Sequence, residues 1–559
     1  MVGKHSPAGS AALALAVLAV ALLAGVGLRA GATAPKTSLT HDEAISYLSA
    51  TCHQGEWYAV TFGPRPPFGT WRPASAWQRM LRVEDAGCLG RIRDDLARYD
   101  IHPPLYFWLL HGASLAAGAG MWTGAGLNVL LSALGTLALF GLALRVLGDR
   151  LRAALVALTW AVSPAVVQVF AEARQYELLG LLTILFTWQA LRFAERPGRA
   201  RVADAAGLAA LAALGMLTHY HFALVILGVG GLLAVRRTAA MRLLAGAGAL
   251  AGGAVLFLVA HPDFWRAFAT QRTQAGGFVA EQFPNRLAQS AQTLSELALP
   301  SGLASTPLGW VVAPLVIGTA LWLFVRERGG ARAPNTRPAR ETSASGAEAT
   351  SAGPRAMVGL FLWMTAATVG LFLAFVSHGL AMTPKYLAAV WPFAAFVPVL
   401  AVARLPVRPR APIAAIGLVA LLVSAGFSAA ALHADEPPLD PTGLISRGDP
   451  VVVENVARGI FPRVVGPMRP ETPVYAATQR HLAANEAEWA GELASGGVLI
   501  SELPVSDPRY GNTPAGGRRL LALLRRRASV GPGGPAVSGL GRAFTVTERR
   551  ALSPRPGRR

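Results

Sequence analysis

Long, unbroken apolar blocks recur along this chain, and they decide what it can fold into. They run at about 11–27, 123–147, 152–171, 176–194, 203–218, 220–235, 241–260, 306–325, 356–377, 384–403 and 411–432. A run of about 18 or more apolar residues can cross a hydrocarbon core of roughly 30 Å as a helix. These blocks are apolar on all sides, whereas a surface helix of a soluble domain shows only one apolar stripe. Only 15% of the 559 residues are charged, where a soluble chain carries roughly a quarter. The expectation is an α-helical polytopic membrane protein with about eleven transmembrane helices.

The first block, from Ala11 to Gly27, is long and is followed by further spans. It reads as an uncleaved signal anchor, although Ala30-Gly31-Ala32 offers a small-residue pattern for cleavage. The net charge of +20 follows the positive-inside bias. Nucleic-acid binding would need a basic face with interleaved aromatics, and here the arginines are scattered among loops. Basic connections carry Arg150 and Arg152, then Arg192, Arg196, Arg199 and Arg201, then Arg236, Arg237 and Arg242. Two more carry Arg326, Arg328, Arg332, Arg337 and Arg340, and Arg404, Arg408 and Arg410. They alternate with connections poor in positive charge.

The short apolar segment 102–117 decides the orientation. If it spans, every later basic loop falls outside. If it lies in the interface as a juxtamembrane helix, every one falls inside, as positive-inside requires. This places the N-terminus in the cytoplasm of a multi-pass protein of the cell inner (plasma) membrane. The loop 31–122 is then extracytoplasmic, as are the turns near 172–176, 219–221 and 378–386 and the loop 261–306. Cys52 and Cys88 share the first loop, and in an oxidising compartment a disulfide between them is expected, the alternative being two free thiols.

Residues 1–432 are expected to form the transmembrane domain, with 327–355 as a disordered cytoplasmic linker rich in Ala, Ser, Thr, Arg, Pro and Gly. From about 433 the pattern changes. Short β-type runs such as Val451-Val452-Val453 and Val498-Leu499-Ile500 alternate with helical stretches. These predict a small extracytoplasmic α/β domain over 433–552, followed by a basic tail at 553–559.

Several polar groups collect on the outer side. Asp42 and Glu43 form a carboxylate pair just beyond the first block, suited to general-base or metal chemistry. Thr40-His41-Asp42-Glu43 also fits a helix capping box. His102, in Asp100-Ile101-His102-Pro103-Pro104-Leu105-Tyr106, is a candidate ligand or donor at the tip of an interfacial helix. Arg174, between Glu172 and Tyr176, suits a phosphate through its planar fork, or a surface ion pair with Glu172 or Glu177. His219 and His221 suit a metal or a phosphate, or interfacial anchoring; on a helix their spacing would splay the rings. Lys385 can meet a phosphate as a point charge, or snorkel to headgroups. Converging on one face, these groups describe a site for an anionic, lipid-anchored phosphate substrate.

The ordered set His41-Asp42-Glu43-Ala44, His102-Pro103-Pro104-Leu105-Tyr106, Glu172-Ala173-Arg174-Gln175-Tyr176 and Thr218-His219-Tyr220 resembles the GT-C membrane glycosyltransferases. The group concerned is the dolichyl-phosphate-mannose-protein mannosyltransferase-like one, which includes lipid A aminoarabinose transferases, and the resemblance covers about residues 10–400. It implies hexosyl or pentosyl transfer from a polyprenyl-phosphate-linked donor to an envelope lipid, glycan or protein acceptor outside the cytoplasm. It implies Asp42 as the catalytic carboxylate, with Glu43 beside it. It implies Arg174, Lys385 and Tyr176 at the donor phosphate; many relatives have Arg where this chain has Lys385. Some relatives use a divalent metal ion, for which His102, His219 and His221 are candidates. The competing readings are a transporter or flippase of lipid-linked glycans, and a non-catalytic scaffold for the C-terminal domain. Against the transporter, the sequence shows neither paired repeats nor broken mid-span helices with buried charge.

Overall fold

The computed structural model describes residues 7–36, 38–62, 68–170, 172–195, 200–235, 240–274, 279–329, 344–375, 382–432, 443, 445–454, 456–457, 459–501, 512–534 and 541–548. The chain divides into two compact units. The first comprises Met1–Ala34, Leu96–Tyr106 and Gly124–Leu432; the second comprises Pro35–Asp95, Phe107–Thr123 and His433–Arg559.

The first unit is helical. Among the described residues, seven helices are long and apolar enough to cross a membrane: Ala11–Thr33, Met121–Leu147, Tyr176–Glu195, Met241–Ala260, Pro307–Arg326, Gly353–Ala374 and Val407–Ala431. In hydrocarbon no water can satisfy backbone N–H and C=O groups, so a helix that satisfies its own is the form such segments take. The polytopic helical class is thus borne out. Four further apolar helices are shorter: Leu105–Ala117, Val202–Thr218, Phe222–Ala234 and Trp391–Ala403.

Two blocks expected as single spans are broken. Residues 152–171 divide into Arg150–Ala161 and Pro164–Phe170. Pro164 has no N–H to continue the first helix, and it suits the first turn of a new one. Residues 384–403 divide into a 3-10 turn, Pro384–Leu387, and short helices Trp391–Ala394 and Phe396–Ala403. Pro392 lies in the first turn of one short helix and Pro398 in that of the next, for the same reason. The expected linker 327–355 also differs. Residues 330–343 lie outside the described residues, residues 327–329 end the helix Pro307–Gly329, and a helix from Ala344 to Phe375 takes in 344–355.

Among the ion pairs that join the described helices, one is fully buried and is not suggested by the sequence pattern. Arg29, in the first helix, is fully buried beside Glu177, with Nη2 3.5 Å from Oε1. Its Nη1 also donates to the Gly25 carbonyl at 3.0 Å and the Ala161 carbonyl at 2.9 Å. Small residues permit close approach elsewhere. A Cβ on Gly253 would lie 2.7 Å from the Ala209 carbonyl oxygen, so the helices Ala200–Thr218 and Ala240–Ala260 touch at backbone distance.

The second unit joins two regions that the sequence reading kept apart. Its mixed sheet has six strands: β1 (Trp71–Pro73), β2 (Val451–Val453), β3 (Pro473–Ala476), β4 (Gly496–Ser501), β5 (Ser529–Gly533) and β6 (Arg542–Thr547), in the order β1-β3-β2-β4-β6-β5. β2 runs parallel to both β3 and β4, and β1 closes the edge antiparallel to β3. The first loop therefore contributes a strand to the C-terminal domain. It also contributes core. Val451, Val453, Val474 and Ile500 pack with Trp57, Phe68, Trp77 and Phe461 on one face. Val452, Tyr475 and Leu499 pack with Leu482, Trp489 and Leu520 on the other. Trp77 stacks on Phe68 at 5.1 Å and meets Phe461 edge-on at the same distance. The amide of Gln78 donates to the carbonyls of Val465 at 2.9 Å and Met468 at 2.7 Å. The expected tail 553–559 lies outside the described residues.

Cys52 and Cys88 form the expected disulfide, with Cα atoms 6.3 Å apart. Close to it the helix Leu105–Ala117 is pinned: Trp108 Nε1 donates to Leu89 O at 3.0 Å, and the His111 ring lies 2.7 Å from Ala50 O and 3.2 Å from Ala86 O. At about 1.5 Å per residue this helix is roughly 20 Å long, short of the ~30 Å a span needs.

The disulfide closes a loop whose ends are 36 residues apart. Chain entropy then gives about 4 kcal/mol of stabilisation. Reduction, or Cys52→Ser with Cys88→Ser, should lower denaturant resistance by about that amount when followed by tryptophan emission. Equal resistance of the oxidised and reduced proteins would show that the bridge carries no stability.

Candidate functional site

In the second unit the helix His41–Ala50 begins with the expected capping box. Thr40 Oγ1 accepts from the Glu43 N–H at 3.3 Å, and Glu43 Oε2 accepts from the Thr40 N–H at 2.8 Å. The other Glu43 oxygen accepts from the ammonium of Lys36. Both partners are buried. Glu43 is thus committed to holding the start of the helix. A buried pair of this kind costs desolvation that only full pairing offsets. Asp42, one position earlier, is half-exposed. It sits in the first turn, where the helix dipole favours a carboxylate. Of the two, Asp42 is the one with solvent exposure. Lys36 escaped the sequence reading because nothing in Ala34-Pro35-Lys36 marks a buried cation.

In the first unit, residues from four distant stretches gather. Asp100 Oδ1 accepts from the Ile101 N–H at 2.7 Å and lies 2.6 Å from Nδ1 of His102, which orients the imidazole. The ring of His102 lies 6.3 Å from that of His219. The His219 ring is in turn 5.8 Å from Tyr176 and 4.8 Å from His221. Tyr176 lies 6.5 Å from Tyr386, and the Lys385 ammonium is 6.0 Å from the Tyr176 ring centroid. Lys385 also pairs with Glu172 at 3.0 Å. A second chain of bonds fixes that turn: the Tyr106 hydroxyl donates to Asn128 Oδ1 at 3.0 Å, and Asn128 Nδ2 donates to Glu172 O at 2.7 Å. Arg174 is buried within the same turn, its N–H bonded to Glu172 O at 2.7 Å.

The structure therefore brings together His102, Arg174, Tyr176, His219, His221 and Lys385, all in the first unit, while Asp42 and Glu43 belong to the second. Asn128, Glu172 and Asp100 hold these side chains in place. Asn128 lies inside an apolar block, and a lone amide there was the available signal for it.

The histidines sit in a turn between two apolar helices. Burial, and then the neighbouring His221 and His102, push the His219 pKa well below its ordinary value. Burial brings His221 down to about 4. Both rings are thus neutral near pH 7. His219 Nδ1 accepts from the His221 N–H at 3.1 Å, so the neutral ring carries its proton on Nε2. The Tyr220 hydroxyl lies 3.1 Å from His261 Nε2.

Neutral imidazoles suit a metal, but a metal also needs converging ligand atoms. Among the described residues, the one group of three metal-capable side chains with ligand atoms within 4.8 Å of each other is Cys52, Cys88 and His111, and its two sulfurs are spent in the disulfide. His102, His219 and His221 do not converge in this way, so the donor set does not fit a three-ligand metal.

Comparisons with known proteins agree with the motifs. Residues 101–265 match the family model for dolichyl-phosphate-mannose-protein mannosyltransferase, a stretch that contains His102, Arg174, Tyr176, His219 and His221. The resemblance is borne out over residues 101–265, which contain three of the four ordered motifs and not His41-Asp42-Glu43-Ala44. The chain is similar to the structure of ArnT from Cupriavidus metallidurans bound to undecaprenyl phosphate, at 15% identity and a TM-score of 0.48, with 99% of this chain and 100% of that chain covered. It is also similar to the apo state of that protein, at 14% identity and a TM-score of 0.39, covering 97% and 98%. A further similar structure is the archaeal oligosaccharyltransferase AglB from Archaeoglobus fulgidus in complex with an inhibitory peptide and a dolichol-phosphate, at 13% identity and 0.45, covering 97% and 75%. No curated protein matches the chain.

The buried histidines give stability a pH dependence of definite sign. In the unfolded chain His221 takes up a proton near pH 6.5, and in the folded chain only near about 4. Stability is therefore level above pH 6.5 and falls as pH drops from 6.5 towards 4, by at most about 1.4 kcal/mol per pH unit for this group. Thermal unfolding at pH 7.5, 6 and 5 should show this decline, and His221→Asn should make it shallower. An unchanged slope in the variant would show that His221 does not titrate as its burial requires.

Proposed function

We propose that this chain is an integral-membrane glycosyltransferase. It moves a sugar from a polyprenyl-phosphate-linked donor to an envelope lipid, glycan or protein acceptor on the extracytoplasmic face. The observation that carries this reading is that the segment matching the mannosyltransferase family, residues 101–265, is the one whose polar residues gather into a single cluster with Lys385.

The chemistry follows from what each group can do. A lipid-phosphate leaving group departs with negative charge on oxygen. Arg174 stabilises it through a planar guanidinium, and Lys385 through a point charge. The Glu172 carboxylate that holds Lys385 at 3.0 Å keeps this ammonium in place between turnovers. Tyr176, against both Lys385 and His219, forms the aromatic wall of the cluster.

Asp42 is the general base. It takes the proton of the acceptor hydroxyl as that oxygen attacks the anomeric carbon, and the bond from that carbon to the phosphate oxygen breaks. A single displacement at a β-linked donor inverts the anomeric centre. Glu43 acts through structure: with Lys36 and Thr40 it fixes the turn that presents Asp42. No step is assigned to a metal.

These roles separate on substitution. Asp42→Asn should lower the transfer rate about 10²- to 10⁴-fold and cost at most about 1 kcal/mol of stability, the share of the helix dipole. Glu43→Ala strands a buried ammonium and should cost roughly 3–5 kcal/mol of stability. The check is sugar transfer from a synthetic polyprenyl-phosphate donor in nanodiscs, run beside thermal unfolding. An Asp42→Asn protein that transfers at the wild-type rate would remove Asp42 from the mechanism.

A further inference from the structure

A cavity of about 190 Å³ lies among the helices Tyr176–Glu195, Ala200–Thr218, Phe222–Val235 and Ala240–Ala260, all within the first unit. Its floor includes the buried side chains of Phe186, Phe193, Val229 and Leu233. Its rim includes Leu243 and Ala247, both exposed. They sit on a helix whose most apolar window is only 11% buried, so in a membrane its outer side faces lipid.

The lining is apolar apart from one residue. Buried water needs two to four polar partners, so a cavity of this kind stays dry and takes apolar guests. Arg242 is that single exception, and it stands at one end. Its Nη1 donates to the Ala194 carbonyl at 2.6 Å, using one of the five N–H donors of the guanidinium.

The surroundings set the sign of the guest's charge. In sequence, the connections between these helices, 196–199 and 236–239, carry Arg196, Arg199, Arg236 and Arg237 and no acidic residue. The acidic residues flanking the first of them are already engaged, Glu195 by Arg145 and Asp204 by Arg192. The positive-inside rule assigns this end to the cytoplasmic leaflet, where anionic headgroups concentrate.

We propose that this cavity is a binding site for an anionic phospholipid, with one acyl chain between the rim and the aromatic floor and its phosphate on Arg242. The site is independent of the sugar-transfer reading, because it uses none of the residues assigned to donor or acceptor.

The test uses the full-length protein. Lipid retained after detergent purification is identified by mass spectrometry, and thermal stability is compared in nanodiscs of pure phosphatidylcholine and of phosphatidylcholine with phosphatidylglycerol. The wild type should retain about one phosphatidylglycerol per chain and be stabilised by the anionic lipid. Ala247→Trp fills the cavity from its exposed rim and should abolish retention. Arg242→Gln should keep a lipid but lose the anionic preference, by about tenfold for one charge-assisted hydrogen bond. Absence of retained phospholipid in the wild type overturns the proposal. So does a polyprenyl phosphate in its place, an anionic preference unaffected by Arg242→Gln, or retention unaffected by Ala247→Trp.

Discussion

The buried pair of Arg29 and Glu177 is the interaction on which the membrane unit depends most. A guanidinium in a dry interior is costly unless its donors are met. Here Nη1 is met by a carbonyl of its own helix and a carbonyl on a second, and Nη2 faces a carboxylate on a third. The first helix is thereby fixed to Arg150–Ala161 and to the start of Tyr176–Glu195. Glu177 directly follows Tyr176, so the pair also holds the end of the Glu172–Tyr176 turn that carries Arg174. The other end of that turn is held by Asn128, which reaches the Glu172 carbonyl at 2.7 Å.

Each candidate side chain has a neighbour that fixes its geometry: Asp100 for His102, Glu172 for Lys385, Glu43 with Lys36 for Asp42. The Lys36–Glu43 pair is fully buried, and the contacts that hold His102 and Lys385 are part-buried. The two adjacent carboxylates differ accordingly. Glu43 is spent on an ammonium and a backbone N–H, and Asp42 is left half-exposed at the head of its helix.

Much of this was legible in sequence because it depends on local pattern. Apolar blocks mark the long helices, Thr40 and Glu43 mark a cap, and two cysteines in one loop mark a bridge. The spacing of His219 and His221 warned against shared chelation, and the structure keeps their ligand atoms from meeting with His102. What sequence could not give depends on partners far along the chain. Trp71–Pro73 reads as a piece of loop until β3, some 400 residues on, supplies its hydrogen bonds. Arg29 looks like the basic flank of a span until Glu177 appears beside it. Pro164 and Pro392 were visible, but the hydrophobicity around them outweighed their effect as helix breakers in the reading of spans.

The central claim is that this protein breaks the bond between a sugar and a polyprenyl phosphate. The most direct measurement follows a doubly labelled polyprenyl-phosphate sugar in nanodiscs or proteoliposomes containing the purified chain and a crude envelope acceptor fraction. The account predicts release of free polyprenyl phosphate together with appearance of the sugar on an acceptor. Movement of the intact lipid-linked sugar between leaflets, with both labels still on one molecule, would contradict it.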